Sequence, residues 1–172
     1  MIIKIYQRGG PKRHAVLKEA AHYYASWLMG EDLVDELTVN IRICKVYLGS
    51  DDMGVCTPTD VWNSEKRSFD IRLRRSLSTY YMLKTLAHEM VHVKQFATNQ
   101  LTGWHSATWN NVDFENTPYR TQPWEQEAFE LEGTMLKAFW TYLSNKAKRI
   151  YSCWTCGKAG HNSRTCHHRK QS

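Results

Sequence analysis

Two groups of residues in this chain have the types and spacing of metal ligands. The first is HEMVH, residues 88–92, in which His88 and His92 lie four positions apart. In a helix this spacing places both imidazoles on one face, one turn from each other, where they can bind the same Zn²⁺ ion. Glu89 is near enough to act as base and then acid for a water activated by that ion. The pattern therefore predicts a catalytic zinc site.

A catalytic zinc site takes three protein ligands and leaves one position open. Two parts of the sequence can supply the third ligand. A helix that begins at PWEQEA (123–128) and returns beside the first helix can direct Glu125 or Glu127 at the metal. The other candidate is His105, thirteen residues after His92. The residues alone leave this choice open.

The second group lies near the end of the chain and has the spacing C-x2-C-x4-H-x4-C. Its members are Cys153, Cys156, His161 and Cys166. Three thiolates and one imidazole form a closed ligand set with no open position, which is typical of a structural zinc. Gly157 and Gly160 fall where so short a loop has to turn tightly around an ion.

The surrounding sequence predicts the elements that hold these residues. Apolar periodicity and capping residues predict helices at 11–29, at 78–98 with Ser78 as the cap, and at 123–146 beginning with Pro123. Period-two alternation predicts strands at 2–6, 36–48 and 67–75, the last with one solvated side and a place at a sheet edge. Residues 99–122 show no periodicity and are expected to form a long loop.

These elements predict an α+β fold, with a small, mostly antiparallel sheet packed on helices. The predicted organisation is a main domain at 1–145, a basic linker at 146–152, a zinc-binding module at 153–166 and a basic tail at 167–172. With 172 residues, the chain is long enough for one ordinary domain and a small appendage.

Charge and composition indicate a partner class and a compartment. Residues 146–172 carry seven basic side chains and no acidic ones, whereas residues 1–145 carry 16 basic and 17 acidic ones. A basic end of this kind is typical of a segment that binds a polyanion or merely aids solubility.

No apolar run is long enough to span a membrane, and the first residues do not resemble a secretion signal. We expect an intracellular protein that is not secreted, with its odd cysteine number reflecting metal-bound thiolates.

HEMVHVKQ, a tryptophan-bearing loop and then PYRTQPWEQEA together resemble a family of small phage and bacterial metallopeptidases. That family is similar in outline to the SprT-like and ImmA-type minimal zincins. The resemblance covers about residues 67–132 and implies an acidic third ligand, with Glu125 first and Glu127 second. SprT relatives use a downstream histidine instead, which keeps His105 as the third candidate.

Residues 153–166 resemble a retroviral-type CCHC zinc knuckle. Such knuckles are among the modules that bind single-stranded RNA or DNA. Trp154 offers a ring on which a base can stack, and Lys158 and Arg164 can neutralise phosphates. Asn162 stands where many of these knuckles carry a second hydrophobic residue, so a protein partner is the alternative.

Taken together, the sequence predicts a hydrolase of the zinc metallopeptidase class with one catalytic and one structural Zn²⁺. Its substrate would be a protein or peptide, and the knuckle would direct it to single-stranded nucleic acid or nucleoprotein. The alternative is a non-proteolytic protein that binds single-stranded nucleic acid on a zincin scaffold. A third hypothesis is self-cleavage within 146–151. The sequence gives no indication of the oligomeric state.

Overall fold

The computed structural model describes residues 1–6, 10–44, 52–60, 67–102 and 108–150, and, beyond them, 153, 155–158, 164 and 166. The chain forms two compact units, Met1–Leu136 and Lys137–Ser172. In the part of the chain that is described, no helix is both long and apolar enough to cross a membrane.

The first unit is built on a four-stranded sheet in the order β1-β2-β4-β3. Its strands are β1 (Ile2–Tyr6), β2 (Thr38–Cys44), β3 (Gly54–Pro58) and β4 (Ser68–Arg74). β1 and β4 both run parallel to β2, whereas β3 is antiparallel to β4. The predicted α+β class is confirmed, and so are the strands at 2–6 and 67–75 to within one residue at each end. The strand predicted at 36–48 is observed as Thr38–Cys44; Glu36 is helical, and residues 45–48 lie outside the described residues.

Two details of the predicted sheet are wrong. The four-stranded sheet is mixed rather than mostly antiparallel, because the helical crossover between β1 and β2 returns the chain in the same direction. β4 is a central strand rather than an edge strand, and β3 occupies the edge beside it. An alternating sequence shows which residues share a face, but it does not reveal the direction or the neighbours of a strand.

Two helices cover one face of this sheet. They are α1 (Pro11–Leu28) and α3 (Thr79–Ala97), and they contact each other as well as the strands. Ser78 caps α3 by accepting a hydrogen bond from the backbone N–H of Tyr81 at 3.4 Å. The predicted helices at 11–29 and 78–98 are therefore confirmed to within one residue at each end. The short helix α2 (Glu31–Glu36) and the strand β3 were not predicted.

The core between the helices and the sheet contains the apolar residues of β2, Val39, Ile41 and Ile43, together with Leu37 just before the strand. The corresponding residues of β4, Phe69, Ile71 and Leu73, are fully buried beside them. Most of α3 is buried too, so its central turns have almost no contact with solvent. The candidate metal ligands on α3 consequently lie in a buried part of the unit.

The segment between α3 and the last helix is not a featureless loop. It contains three two-residue strands, β5 (Leu101–Thr102), β6 (Thr108–Trp109) and β7 (Val112–Asp113), which form a small antiparallel sheet. A single turn of 3₁₀ helix (Tyr119–Thr121) then leads into α4 (Pro123–Ile150). α4 begins at the predicted proline and extends beyond the predicted end at 146, so the first residues of the predicted linker are helical.

The central position of β4 can be tested by truncating Ile71. We expect Ile71→Ala to lower the free energy of unfolding by about 2–5 kcal/mol, because a fully buried side chain is replaced by a cavity. Urea denaturation followed by circular dichroism measures the change. Lys12→Ala on the exposed side of α1 is the control and should change the value by less than about 0.5 kcal/mol. Equal losses in the two variants would contradict the central placement.

Candidate metal centres

The two histidines and the glutamate of HEMVH lie in the most buried part of α3. His88 is 7% exposed, Glu89 is 4% exposed and His92 is 8% exposed. The rings of His88 and His92 are adjacent, with centroids 4.9 Å apart. The predicted placement of both imidazoles on one helical face is therefore confirmed.

Glu125 completes a cluster with these two histidines. It lies in the first turn of α4 and is 6% exposed. Its carboxylate oxygens lie 3.2 Å from Nε2 of His88 and 3.4 Å from Nε2 of His92. One ligand atom from each of the three residues lies within 4.8 Å of the others. Two imidazole nitrogens and a carboxylate oxygen at these separations form a set that could bind a metal ion.

Glu127, the second candidate for the third ligand, is not part of this cluster. The carboxylate of Glu127 accepts hydrogen bonds from Nζ of Lys94 and Nε2 of Gln95, both at 2.8 Å. These contacts direct Glu127 at neighbouring side chains of α3. His105 lies outside the described residues.

The outer ring nitrogens of both histidines have hydrogen-bond acceptors. Nδ1 of His88 lies 3.2 Å from a carboxylate oxygen of Glu132, and Nδ1 of His92 lies 2.8 Å from Oε1 of Gln95. An acceptor at Nδ1 favours a hydrogen on that nitrogen, so that Nε2 is the nitrogen that a neutral ring would offer to a metal. Because both Nε2 atoms face Glu125, two nitrogens and one carboxylate oxygen are directed at one point, and this donor set fits a divalent metal ion such as zinc.

One of these two supporting residues comes from α3 itself. Gln95 lies three residues after His92 and seven after His88, so it shares their face of the helix. Glu132 was not identified, although it lies seven residues after Glu125, two turns along the same face of α4. Its carboxylate also pairs with Nζ of Lys84 at 3.0 Å, so it connects α3 to α4 twice.

The electrostatics of the cluster favour the metal-binding forms of Glu125 and His92. Burial raises the pKa of Glu125, but the hydrogen bond with His88 and the charge of His92 outweigh it, and the net pKa is lowered. Burial lowers the pKa of His92. Burial also lowers the pKa of His88, but hydrogen bonds to Glu125 and Glu132 outweigh it and raise the value to about 9. A metal bound here would therefore displace a proton from His88.

Glu89 lies against the edge strand β3. The backbone of Cys56 hydrogen-bonds to its carboxylate, and burial raises its pKa to about 8. At Gly54 a Cβ atom would stand 2.6 Å from Oε1 of Glu89 and 2.6 Å from Cγ2 of Thr85. Only glycine therefore lets β3 approach the Glu89 carboxylate this closely.

An open cleft of about 220 Å³ connects these residues with solvent. It is lined by the three residues of the cluster, by Glu89 and by Tyr119, among others. A hydrogen bond links the Tyr119 side chain to Glu125, and burial and that bond raise the pKa of Tyr119 above its usual value. Next to it lies a larger cleft of about 410 Å³, bordered by Met53, Phe129 and Glu132. The buried cluster is thus accessible to a molecule from outside.

The second unit holds the second group of metal-ligand residues. The thiol sulfurs of Cys153, Cys156 and Cys166 lie within 4.8 Å of one another. Gly157 has a positive φ of 70°, and its N–H donates to the carbonyl of Cys153 at 2.7 Å, as the predicted tight turn requires. The fourth predicted ligand, His161, and the predicted stacking residue, Trp154, lie outside the described residues. Lys158 and Arg164 are exposed.

The three thiols are arranged so that a thiolate is favoured. Burial raises the pKa of Cys153, but hydrogen bonds from the backbone of Cys156 and Thr155 and from the neighbouring thiols outweigh it. The pKa of Cys153 is consequently lowered to about 6. Thiolate is the form of cysteine that binds zinc.

No protein-family model, no curated protein and no solved structure matches this chain. The resemblance to minimal zincins therefore stays a prediction, and the case for each centre depends on its own geometry.

The third ligand can be identified by zinc analysis of three variants. We expect the native chain to hold two zinc ions and Glu125→Ala to hold one, because this change removes the carboxylate that faces both Nε2 atoms. Glu127→Ala and His105→Ala should keep two. Elemental analysis of the purified proteins measures the stoichiometry. Loss of an ion from either of those variants, with Glu125→Ala unaffected, would contradict the assignment.

The contribution of Glu132 is measurable as metal affinity. We expect Glu132→Ala to weaken zinc binding at the α3 site by about 10- to 100-fold, since Nδ1 of His88 loses the acceptor that orients it. Competition with a chromophoric chelator gives the affinity. Glu130→Ala, an exposed position on the same helix, is the matched control. An affinity that is the same in both variants would show that Glu132 does not support His88.

Proposed function

We propose that this protein is a zinc-dependent metallopeptidase. The observation that carries the proposal is the convergence of His88, His92 and Glu125 around one point, with the Glu89 carboxylate beside it in an open cleft. Two histidines and one carboxylate, with room for a fourth ligand, are a ligand set of hydrolytic zinc enzymes. The class of reaction is hydrolysis of a peptide bond.

In this proposal His88, His92 and Glu125 hold the metal, and a bound Zn²⁺ supplies the Lewis acidity that activates water and the substrate carbonyl. Oxygen and nitrogen donors in this number favour zinc over calcium or magnesium, which prefer oxygen ligands alone. Glu132 and Gln95 keep the two imidazoles in the tautomer that binds.

Glu89 is proposed to move the proton. Its carboxylate takes a proton from the attacking water and returns it to the leaving amine. The hydrogen bond from the Cys56 backbone and the close approach of Gly54 fix its position. Tyr119, whose hydroxyl contacts Glu125 at the mouth of the cleft, is placed to donate a hydrogen bond to the oxyanion that develops.

The substrate is proposed to be an extended polypeptide. β3 is at the end of the four-stranded sheet and contributes Gly54, Val55 and Cys56 to the wall of the cleft. An extended peptide can add to such an edge through backbone hydrogen bonds. The same strand that positions Glu89 would then also align the scissile bond.

We further propose that the knuckle is a structural zinc site that directs the peptidase to single-stranded nucleic acid or nucleoprotein. The convergence of three thiols supports a closed site, which His161 would complete. Trp154 would stack on a base, and Lys158 and Arg164 would contact phosphates. The same observation supports the second candidate function, a non-proteolytic protein that binds single-stranded nucleic acid. A protein that acts on nucleic acid or nucleoprotein would work inside a cell, so an intracellular location is part of this proposal.

The decisive experiment compares Glu89→Gln with Glu130→Gln, an exposed control. A peptide library derived from a cell lysate is incubated with each zinc-loaded protein, and new termini are identified by mass spectrometry. We expect the native chain and Glu130→Gln to cleave, and Glu89→Gln to lose at least about 100-fold in rate while it retains two zinc ions. Oligonucleotide binding should be the same in all three.

Two outcomes would overturn the proposal that this protein is a peptidase. One is a native chain that holds zinc at the α3 site but releases no termini above the level of Glu89→Gln. The other is cleavage that survives Glu89→Gln, which would indicate a contaminating enzyme. Oligonucleotide binding without any cleavage would favour the second candidate function. Intact-mass analysis of the same samples shows whether the chain cuts itself within 146–151.

A further inference from the structure

The face of the four-stranded sheet opposite to α1 and α3 carries a cluster of basic and aromatic side chains. Tyr6, Arg42 and Arg72 are paired across three neighbouring strands, so they form one row on the same face. Lys4 lies on that face two residues before Tyr6. All four side chains are exposed. We call these four residues the sheet platform.

The side chains at the centre of the platform are held in place. Nε of Arg42 donates to Oδ2 of Asp70 at 3.0 Å, and its guanidinium lies over the ring of Tyr6 at 4.8 Å from the centroid. The hydroxyl of Tyr6 donates to Oδ1 of Asn40 at 3.4 Å. A stacked guanidinium and ring present a flat, cationic surface at little entropic cost on binding.

The platform is positively charged although residues 1–145 as a whole are not. It contributes three cations, and the adjacent Asp70 offsets one of them. The 16 basic and 17 acidic side chains of residues 1–145 would otherwise give no positive field. A local excess of this kind favours a polyanionic partner.

Charge combined with flat stacking groups favours one class of polyanion. Unpaired bases stack on aromatic rings and on arginine guanidinium planes, while lysine and arginine neutralise the phosphates between them. Open sheet faces with exposed aromatic residues are suited to this because they are broad enough for several splayed nucleotides. An acidic peptide would use the charges but not the stacked ring.

We propose that the sheet platform binds single-stranded nucleic acid, as a second site independent of the knuckle. The inference does not depend on the peptidase, because none of the four residues lines the cleft around His88. It implies that the first unit contacts the polymer directly and does not rely on the knuckle alone.

The test uses the full chain with Cys153→Ser and Cys156→Ser, so that the knuckle cannot bind zinc. Binding of a fluorescein-labelled single-stranded oligonucleotide is followed by anisotropy over a range of salt concentrations. In this background we expect Arg42→Glu with Arg72→Glu to weaken binding by about tenfold or more at low salt. The slope of log affinity against log salt should fall by about 1.4, since two phosphate contacts are lost.

Lys12→Glu with Lys18→Glu is the matched control. It makes the same change in charge on exposed positions of α1, which packs on the other face of the sheet. Tyr6→Leu should weaken binding at least about fivefold, whereas Tyr6→Phe keeps the ring and should bind like the parent. Arg42→Gln with Arg72→Gln repeats the loss of charge without placing a new acid beside Asp70. Thermal melts confirm that each variant is folded.

Three results would overturn the proposal. The first is that the parent with the disrupted knuckle fails to bind at low salt. The second is that the α1 control weakens binding as much as the platform variants do, which would indicate only a non-specific effect of net charge. The third is that polyglutamate displaces the labelled oligonucleotide as well as an unlabelled oligonucleotide does, which would identify the partner as an acidic polypeptide. Zinc content at the α3 site and peptide cleavage are measured separately, so failure here is distinguishable from failure of the peptidase.

Discussion

The Glu125 carboxylate faces the Nε2 atoms of both His88 and His92, and this contact constrains the rest of the first unit. It requires the first turn of α4 to lie over the middle of α3, which is why α4 has to pack closely and Ala128 is fully buried. It also fixes the rotation of both rings, because their other nitrogens then have to meet acceptors of their own. Glu132 and Gln95 meet that requirement from the two helices.

Three groups that can carry charge are thus buried together, and a bound cation would offset the cost of removing them from water. The sheet matters to the site chiefly through its edge. β3 brings its backbone against Glu89 at a glycine, so the position of the Glu89 carboxylate depends on a strand outside the HEMVH helix. Glu89 shares α3 with His88 and His92, but its carboxylate is also held by β3, whereas Glu125 comes from α4; three elements therefore meet at the site.

Much of this could be predicted from the sequence, because α3 combines a strong apolar period, an N-cap at Ser78 and two histidines at helical spacing. The residues alone left Glu125, Glu127 and His105 open as the third ligand, and only the family resemblance put Glu125 first. In the structure Glu125 lies beside both histidines. The direction of β1 and β2 could not be predicted, since period two fixes faces only. β3 was missed because Gly54 and Pro58 read as turn residues, and Glu132 because its role appears only when α4 docks on α3.

The separation of 37 residues between His88 and Glu125 has a consequence for how the protein folds. The HEMVH helix can form early from local contacts, but the ligand set is complete only after the small sheet β5–β7 and the first turn of α4 have docked on it. Binding of a metal ion would therefore belong to a late step, when a long loop has already closed and its entropy has been lost. An ion bound at that stage would slow the opening of this loop, so the holo protein would gain kinetic stability from the same residues that are proposed to serve catalysis.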